Sequence, residues 1–166
     1  VEGPDGYTSA DDVNRCPHFA GGRLRASLPR LGAEYEVSLS FWNGMPSDVR
    51  GCTGWLFSRD HADGISAGGL HVGLSGSESQ RAGCLQLQLG LDEPLVGRTV
   101  IDRWEWHRLR LVVRDGEVRV YLDEQSEHEI IAKRVANVGA IDRLYFGGRS
   151  DNSDNWEGRL DEISLR

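Results

Sequence analysis

The chain has 166 residues and a mass of 18.4 kDa, the size of one globular domain. Its 26 acids outnumber its 19 bases to give a net charge of −7, and the bases are scattered, so we expect neither nucleic acid nor an anionic membrane surface as a partner. No segment approaches the roughly 18–20 consecutive apolar residues of a membrane span, so no membrane insertion is expected.

The amino-terminal part of the chain is polar and rich in Gly and Asp. We expect a polar lead-in segment over residues 1–18, followed by one domain over 19–166. The chain opens at Val1 and its only methionine is Met45. We therefore interpret it as a domain of a longer protein whose targeting signal lies upstream.

Apolar and polar residues alternate along most of the chain, which is typical of half-buried antiparallel strands. In chain order the predicted strands are 23–28, 35–41, 53–59, 68–75, 85–91, 95–101, 109–113, 118–122, 129–135, 142–148 and 157–165. Asp115-Gly116 between two alternating runs predicts a tight hairpin. Because no long helical stripe and no internal repeat is visible, the predicted fold is all-β, a two-sheet antiparallel jelly-roll sandwich.

The three cysteines are Cys16, Cys52 and Cys84, an odd number that cannot form a closed set of bridges. Two interpretations stay open. Cys52 and Cys84 form a disulfide if their strands lie side by side, or all three are buried thiols that behave as small apolar groups.

Several segments in a fixed order carry a resemblance to a known family. They are the alternating run Tyr35–Trp42, the pair Trp106-His107, the run Val118–Asp123, the run Leu144–Arg149 and the closing run Trp156–Ile163. Over roughly 19–166 this order resembles the laminin-G-like, concanavalin A-like lectin/glucanase family. The segments Trp42–Pro46 and Gly147–Asn152 resemble versions of this module in large exported bacterial multidomain proteins. The chain departs from the pattern at Glu124, where the family usually has Gly.

The resemblance implies two curved sheets packed face to face, with a concave face and rim loops that often bind glycans. It implies a periplasmic, cell-surface or extracellular location and neighbouring domains of the same polypeptide as partners. It also implies one structural calcium held by an Asp of the last strand, here Asp161, with no other cofactor required. Alternation places Asp161 on the same face as Ile163 and Leu165, and so toward the core. A carboxylate there needs a partner, and the alternative to calcium is an arginine or a backbone donor.

The sequence predicts no catalytic residues. A glycoside hydrolase needs two facing carboxyl groups about 5–10 Å apart. The closing strand has no ladder of acids, since Glu162 shares its face with Ser164 and Arg166. A Gly-x-Ser-x-Gly motif is absent, and the five histidines are isolated from one another.

Two polar loops and one tryptophan are the candidate ligand-binding groups. The first loop combines amides, carboxylates, a guanidinium and an indole, which are groups that recognise sugars: Arg149, Asp151, Asn152, Asp154, Asn155 and Trp156. The second loop, over 58–64, contributes Arg59, Asp60 and His61, and Trp42 points outward from the Val37/Leu39/Phe41 face. The alternative is that both loops are solvated turns. Trp104 and Trp106 are interpreted as sheet-packing residues, and Trp55 fits either role.

The preferred hypothesis is a non-catalytic binding module that recognises a carbohydrate or glycoconjugate, with a glycan or glycoprotein as its partner. The first alternative is a structural or protein-docking domain. The second is an enzyme of the glucanase or lyase type.

Overall fold

A computed structural model of the chain describes residues 2–5, 13–28, 31–61, 64–133, 141 and 143–166. The ends of two predicted strands, at 134–135 and at 142, lie outside the described residues. So do residues 1 and 6–12 of the predicted lead-in, and residues 62–63 of the second polar loop. In the described part of that lead-in Glu2 pairs with Arg15 in an isolated bridge, and the side chain of Cys16 is buried.

Twelve strands account for the regular structure. They are β1 (His18–Ala20), β2 (Leu24–Ser27), β3 (Tyr35–Asn43), β4 (Cys52–Arg59), β5 (Leu70–Ser75), β6 (Cys84–Leu89), β7 (Leu95–Val100), β8 (Trp106–Arg114), β9 (Glu117–Leu122), β10 (Ile130–Lys133), β11 (Arg143–Phe146) and β12 (Glu157–Leu165). The described residues contain no helix, and hence no helix long and apolar enough to cross a membrane.

The strands form two antiparallel sheets of six. The first sheet has the order β1-β12-β3-β8-β9-β10, and the second sheet has the order β2-β11-β4-β5-β6-β7. Strands that are distant in the chain lie side by side in both sheets, as when β12 pairs with β3 and β11 with β4. The predicted jelly-roll sandwich is confirmed.

The core lies between the sheets and is built from the apolar half of each alternating strand. In the first sheet β3 lies between β12 and β8 and contributes Val37, Leu39 and Phe41. In the second sheet β5 contributes Leu70, Val72 and Leu74. Because successive side chains of a strand point to opposite faces, the residues between them are directed away from the core.

The predicted hairpin between β8 and β9 is present. Asp115 and Gly116 both have positive φ, at 52° and 72°. Two consecutive residues of this kind are the signature of a type I′ turn, whose twist matches that of antiparallel strands. Gly adopts this conformation without steric cost, and Asp tolerates it better than most residues.

The prediction that Asp161 faces the core is wrong. In β12 it is Leu160 that is buried, and the pairing with β3 shifts register between Asp161 and Ser164. The residue after Asp161, Glu162, has a φ of 48°, and Ile163 is 37% exposed. The bulge adds one residue to the strand, so the side chains after it point to the opposite face from the one that strict alternation predicts. Leu165 packs against the core as Leu160 does, although the two are five positions apart.

The cysteines are thiols. All three lie within the described residues and none is bridged. Cys52 is on β4 and Cys84 is on β6, and β5 separates these strands in the second sheet. The disulfide interpretation required adjacent strands and is therefore wrong. Burial raises the pKa of Cys52 to about 12, so this group is a neutral thiol at physiological pH.

Two leucines, one buried and one exposed, test the assigned core. Leu111 of β8 is fully buried, whereas Leu91, in the turn after β6, is 70% exposed. Leu111→Ala is expected to lower the free energy of unfolding by roughly 2–5 kcal/mol, since it removes buried methyl groups and leaves a cavity. Leu91→Ala is expected to change it by less than about 0.5 kcal/mol. Urea unfolding of both variants checks this, and equal losses would contradict the assigned core.

Candidate functional site

The outer face of the second sheet carries a row of residues in register across its strands. Trp55 of β4 lies opposite Gly73 of β5, Gly73 opposite Gln86 of β6, and Gln86 opposite Val96 of β7. On the other side Trp55 forms a parallel bridge with Asn155, which follows β11. The pairing of five separate segments therefore fixes the row.

Gly73 makes room for the indole of Trp55. A side-chain carbon on Gly73 would come within 3.0 Å of Cε3 of that indole and within 2.3 Å of the Gly54 carbonyl oxygen. Any larger residue would displace the ring or the backbone of β4. Glycine at this position lets the indole lie across β5, where it forms part of the floor of a pocket.

The pocket has a volume of about 390 Å³. Its lining is mostly polar and comes from the outer face of β4, β6 and β7, from the turns before β4, β6 and β7, and from the loop after β11. The lining residues are Gly51, Cys52, Trp55, Glu78, Ser79, Gln86, Gln88, Glu93, Pro94, Val96, Arg149 and Asp154.

Arg149 is fixed over the floor of this pocket. The centre of its guanidinium lies 4.6 Å from the ring centroid of Trp55, within the range of a cation–π contact. Its Nη1 donates to Oε1 of Gln88 at 2.9 Å. Its Nη2 donates to Oδ2 of Asp151 at 2.9 Å and to Oγ of Ser153 at 2.6 Å, and its Nε donates to Oδ1 of Asp151 at 3.3 Å.

Asp151 is ionised within this arrangement. Burial raises the pKa of its carboxyl, but hydrogen bonds from the backbone and hydroxyl of Ser153, together with the Arg149 guanidinium, outweigh burial and lower that pKa overall. Asp151 and Arg149 are therefore a fixed ion pair at neutral pH, bonded through both carboxylate oxygens.

The indole of Trp55 touches a second buried group, His71. The two rings meet edge to face with centroids 5.8 Å apart. His71 is fully buried, its Nε2 lies 3.5 Å from Oδ2 of Asp60, and neither ring nitrogen has a hydrogen-bond partner among the described residues. Burial lowers the pKa of His71 to about 4, although the nearby Asp60 carboxylate acts in the opposite direction. The imidazole is neutral at pH 7, so this pair is not an ion pair there.

The second polar loop is largely internal. Arg59 is 1% exposed, and its guanidinium donates at 3.0 Å to the main-chain carbonyls of Leu31, Gly32 and Ile141. Asp60 is fully buried and accepts from the backbone of His61 and from the backbone and hydroxyl of Ser66. These contacts give Arg59 and Asp60 structural positions, because a buried charge needs such partners. His61 is exposed at the surface.

The first polar loop divides between the pocket and the interior. Arg149 and Asp154 line the pocket, and Asp151 holds Arg149. Asn152 has a φ of 62°, and its Oδ1 accepts from Nδ2 of Asn155 at 3.1 Å, while Nδ2 of Asn155 also donates to the Gly21 carbonyl at 2.7 Å. These amides secure the loop.

Trp156, the last residue of this loop, is not a surface group. Its side chain is fully buried, and its ring lies edge to face with Phe41, with centroids 6.0 Å apart. The structure therefore places it in the core between the sheets, where it cannot stack on a ligand.

Trp42 lies on the other sheet, away from the pocket. As predicted, it faces outward from the core side of β3. Its ring lies 4.9 Å from that of Trp104 and under the guanidinium of Arg159, 4.3 Å from the ring centroid. Trp104 precedes β8, has a φ of 73° and is 57% exposed, so it packs on the first sheet through Trp42 while leaving much of its ring at the surface. Trp106 is the first residue of β8 and is half-buried.

Asp161 is also on the first sheet, opposite Ser40 of β3. Its Oδ2 is buried and has no hydrogen-bond partner among the described residues. The amino-terminal segment lies close by, since a side-chain carbon on Gly3 would approach this oxygen to 2.6 Å. An orphaned buried carboxylate oxygen fits a cation ligand. Among the described residues, no three His, Cys, Asp or Glu side chains converge, so other ligands would have to be main-chain or amide oxygens.

The most informative pocket residues were missed from the sequence. Gln86 and Gln88 alternate with Leu85 and Leu87, a pattern that places them on an outer face. Nothing local in the sequence shows that this face belongs to the sheet with the pocket, or that Trp55 lies beside them. That proximity comes from the pairing of β4, β5 and β6.

Comparison with known proteins supports the fold. No protein-family model and no curated protein matches the chain. Domain 4 of AbnA, an extracellular GH43 arabinanase of Geobacillus stearothermophilus solved with arabinotriose, is 18% identical with a TM-score of 0.67, covering 95% of this chain and 72% of that one. The CBM40 of the Ruminococcus gnavus IT-sialidase, solved with α2,3-sialyllactose, is 11% identical with a TM-score of 0.61, covering 80% and 75%.

An animal protein has a similar structure. The native heptameric SAP-like pentraxin of Limulus polyphemus is 17% identical with a TM-score of 0.60, and the match covers 90% of this chain and 73% of that one. At these identities the likenesses establish the jelly-roll sandwich fold alone.

His71 gives the stability of the domain a defined pH dependence. Its pKa is about 4 in the folded protein against 6.5 when exposed, so between these values the unfolded chain binds a proton that the folded protein does not. The free energy of unfolding is expected to fall by roughly 3 kcal/mol as the pH drops from about 6.5 to 4.

Chemical denaturation across this pH window checks the effect. His71→Gln should flatten the curve, whereas His61→Gln, which changes an exposed histidine, should keep it. Asp151 and Glu129, whose pKa values are lowered from 3.8 and 4.5, begin to lose their stabilising contribution as the pH falls through those ordinary values, so Glu129 adds to the loss at the acidic end of this window and the comparison of variants is made above about pH 5. An unchanged slope in His71→Gln would contradict the assignment.

Proposed function

We propose that this domain is a non-catalytic carbohydrate-binding module and that the pocket on the outer face of the second sheet holds the sugar. The observation that carries the proposal is the convergence of amide and carboxylate side chains on one concave polar site. Sugar hydroxyls both donate and accept hydrogen bonds, and such groups match them. The carbohydrate-binding domains among the similar structures support this choice.

The pocket provides donors, acceptors and some apolar surface. Gln86 and Gln88 supply amides, and Glu93 and Asp154 supply carboxylate acceptors. Pro94 and Val96 give apolar contact for the C–H face of a sugar ring. Trp55 acts mainly as the floor, because Arg149 covers one side of it. The buried Nε1–H of Trp55 has no hydrogen-bond partner among the described residues. Buried donors without a partner are uncommon in folded proteins, so this N–H is a further donor available at the floor.

Asp151 is poorly suited to general acid catalysis. A glycosidase acid needs a raised pKa so that it holds a proton near neutral pH. The pKa of Asp151 is lowered, and both of its oxygens are engaged by Arg149. An enzyme would have to use the rim acids Glu78, Glu93 and Asp154. Overnight incubation with oligosaccharides and a reducing-end assay tests this alternative, and release of new reducing ends would overturn the non-catalytic proposal.

One observation favours the docking alternative. Trp42 and the exposed Trp104 form an aromatic surface on the first sheet, flanked by Arg159 and by Arg103, whose guanidinium lies 4.1 Å from the Trp104 ring centroid. Exposed aromatic and arginine side chains are enriched at protein interfaces. If the domain binds no sugar in a broad glycan panel, the result would favour protein docking over sugar binding.

We also propose that the domain works in an exported multidomain protein, in the periplasm, at the cell surface or outside the cell. The family resemblance supports this location, and so does the extracellular arabinanase among the similar structures. Neighbouring domains of the same polypeptide would bring the pocket to its glycan.

Glu93 provides a direct test of the pocket. It is exposed, so its removal leaves the core intact, and Glu124, in the turn after β9, is an exposed control away from the pocket. Glu93→Ala is expected to weaken binding of a neutral oligosaccharide about tenfold, because a charge-assisted hydrogen bond to a hydroxyl is lost. Glu124→Ala should bind as the unchanged protein does.

Affinity electrophoresis with arabinotriose, xylotriose, galactotriose and lactose first identifies a sugar that binds. The affinity of both variants for that sugar is then measured by calorimetric titration. Equal affinities of the two variants would contradict the assignment of the pocket as the sugar-binding site.

We further propose a structural calcium at Asp161. The orphaned Oδ2 supports it, since calcium prefers carboxylate and carbonyl oxygens. Calcium at a hundredfold excess over its dissociation constant is expected to raise the melting temperature by about 5–10 °C. Asp161→Asn should abolish the shift and Asp48→Asn, an exposed control, should retain it. A midpoint that is the same in chelator and in excess calcium would contradict the site.

A further inference from the structure

The charges around the pocket are unevenly distributed. Three carboxylates line it, those of Glu78, Glu93 and Asp154, against the single guanidinium of Arg149. Asp151, which is not part of the lining, already neutralises that guanidinium through two of its nitrogens. A ligand entering the pocket therefore meets an excess of negative charge.

Arg149 also has few donors left for a ligand. A guanidinium carries five N–H groups. Four are engaged, by the two oxygens of Asp151, the hydroxyl of Ser153 and the amide oxygen of Gln88. One N–H of Nη1 remains. Strong recognition of a carboxylate uses two parallel N–H groups of one arginine, and Asp151 occupies the pair that would serve.

The rest of the lining is suited to hydroxyl groups. Gln86 and Gln88 line the pocket with amides that are partly engaged, since Nε2 of Gln86 donates to Sγ of Cys52 at 2.9 Å and Nε2 of Gln88 donates to the Asp92 carbonyl at 3.2 Å. One N–H of each amide remains for a ligand, and the carboxylates of Glu93 and Asp154 accept hydrogen bonds. Hydroxyls can donate to all of these acceptors, whereas a sugar carboxylate can donate to none of them. The same acids that favour a neutral sugar repel an anionic one.

We propose that this pocket selects neutral, hydroxyl-rich oligosaccharides and rejects sugars that carry a carboxylate, such as sialic and uronic acids. The inference rests on the proposed function, because it names the ligand class of the same pocket. It also separates this domain from the similar CBM40 that was solved with α2,3-sialyllactose.

Matched pairs of neutral and acidic sugars test the selectivity. The pairs are lactose with α2,3-sialyllactose and galactotriose with trigalacturonic acid, each titrated by calorimetry at low salt. We expect the acidic member to bind at least tenfold more weakly, with the difference narrowing toward about 0.3 M salt as charges are screened. Tighter binding of the acidic members would overturn the inference and leave the proposed function standing. No binding of any neutral or acidic sugar would overturn both.

Two isosteric variants separate charge from donor availability. Asp154→Asn removes one rim charge and leaves Arg149 bonded, while Asp151→Asn removes one charge, breaks the ion pair and releases one of the two N–H groups that Asp151 holds. We expect the ratio of acidic to neutral affinity to rise about threefold in Asp154→Asn and at least tenfold in Asp151→Asn. Equal rises would overturn the assigned role of the Asp151–Arg149 pair.

Folding of the variants is checked by thermal melting before titration. Asp154 has a φ of 43°, a conformation that Asn tolerates well. If Asp151→Asn does not fold, the double variant Asp154→Asn/Glu93→Gln tests the same inference through charge alone. An unchanged preference in that double variant would overturn it.

Discussion

Each sheet can hide its apolar side chains only against the other sheet, and this constraint fixes what every outer face displays. Leu85 and Leu87 must point inward, so Gln86 and Gln88 point outward. The pocket is therefore a consequence of core packing. The indole of Trp55 lies across Gly73, and Arg149 stacks on the indole, so the polar groups that line the pocket rest on side chains held by the sandwich itself.

The fold could be predicted from the sequence because its main signal is local. Alternation identified all strands except β1, and Asp115-Gly116 identified the hairpin. The errors arose where the local period breaks. At Glu162 a bulge reverses the facing of β12, and a strict period of two therefore placed Asp161 on the wrong side. The pairing of Cys52 and Cys84 failed because β5 lies between their strands.

The candidate site could be predicted only in part. The sequence indicated Arg149 and Asp154, because polar loops of that composition are common in binding sites, and the structure places both at the pocket. It could not distinguish them from Arg59 and Trp156, which belong to the same two predicted loops but lie in the interior. Burial of a loop residue depends on which distant segment covers it. For Arg59 the covering segments are those of Gly32 and Ile141, both far away in the chain.

The central claim is that ligand contacts are made on the outer face of the second sheet and not on the aromatic surface of the first. An NMR titration of the isotope-labelled domain with a neutral oligosaccharide tests it most directly. The claim predicts shifts of the side-chain amide signals of Gln86 and Gln88 with the indole signal of Trp104 unchanged. Saturable shifts of the Trp104 indole, with both glutamine amides unmoved, would contradict it.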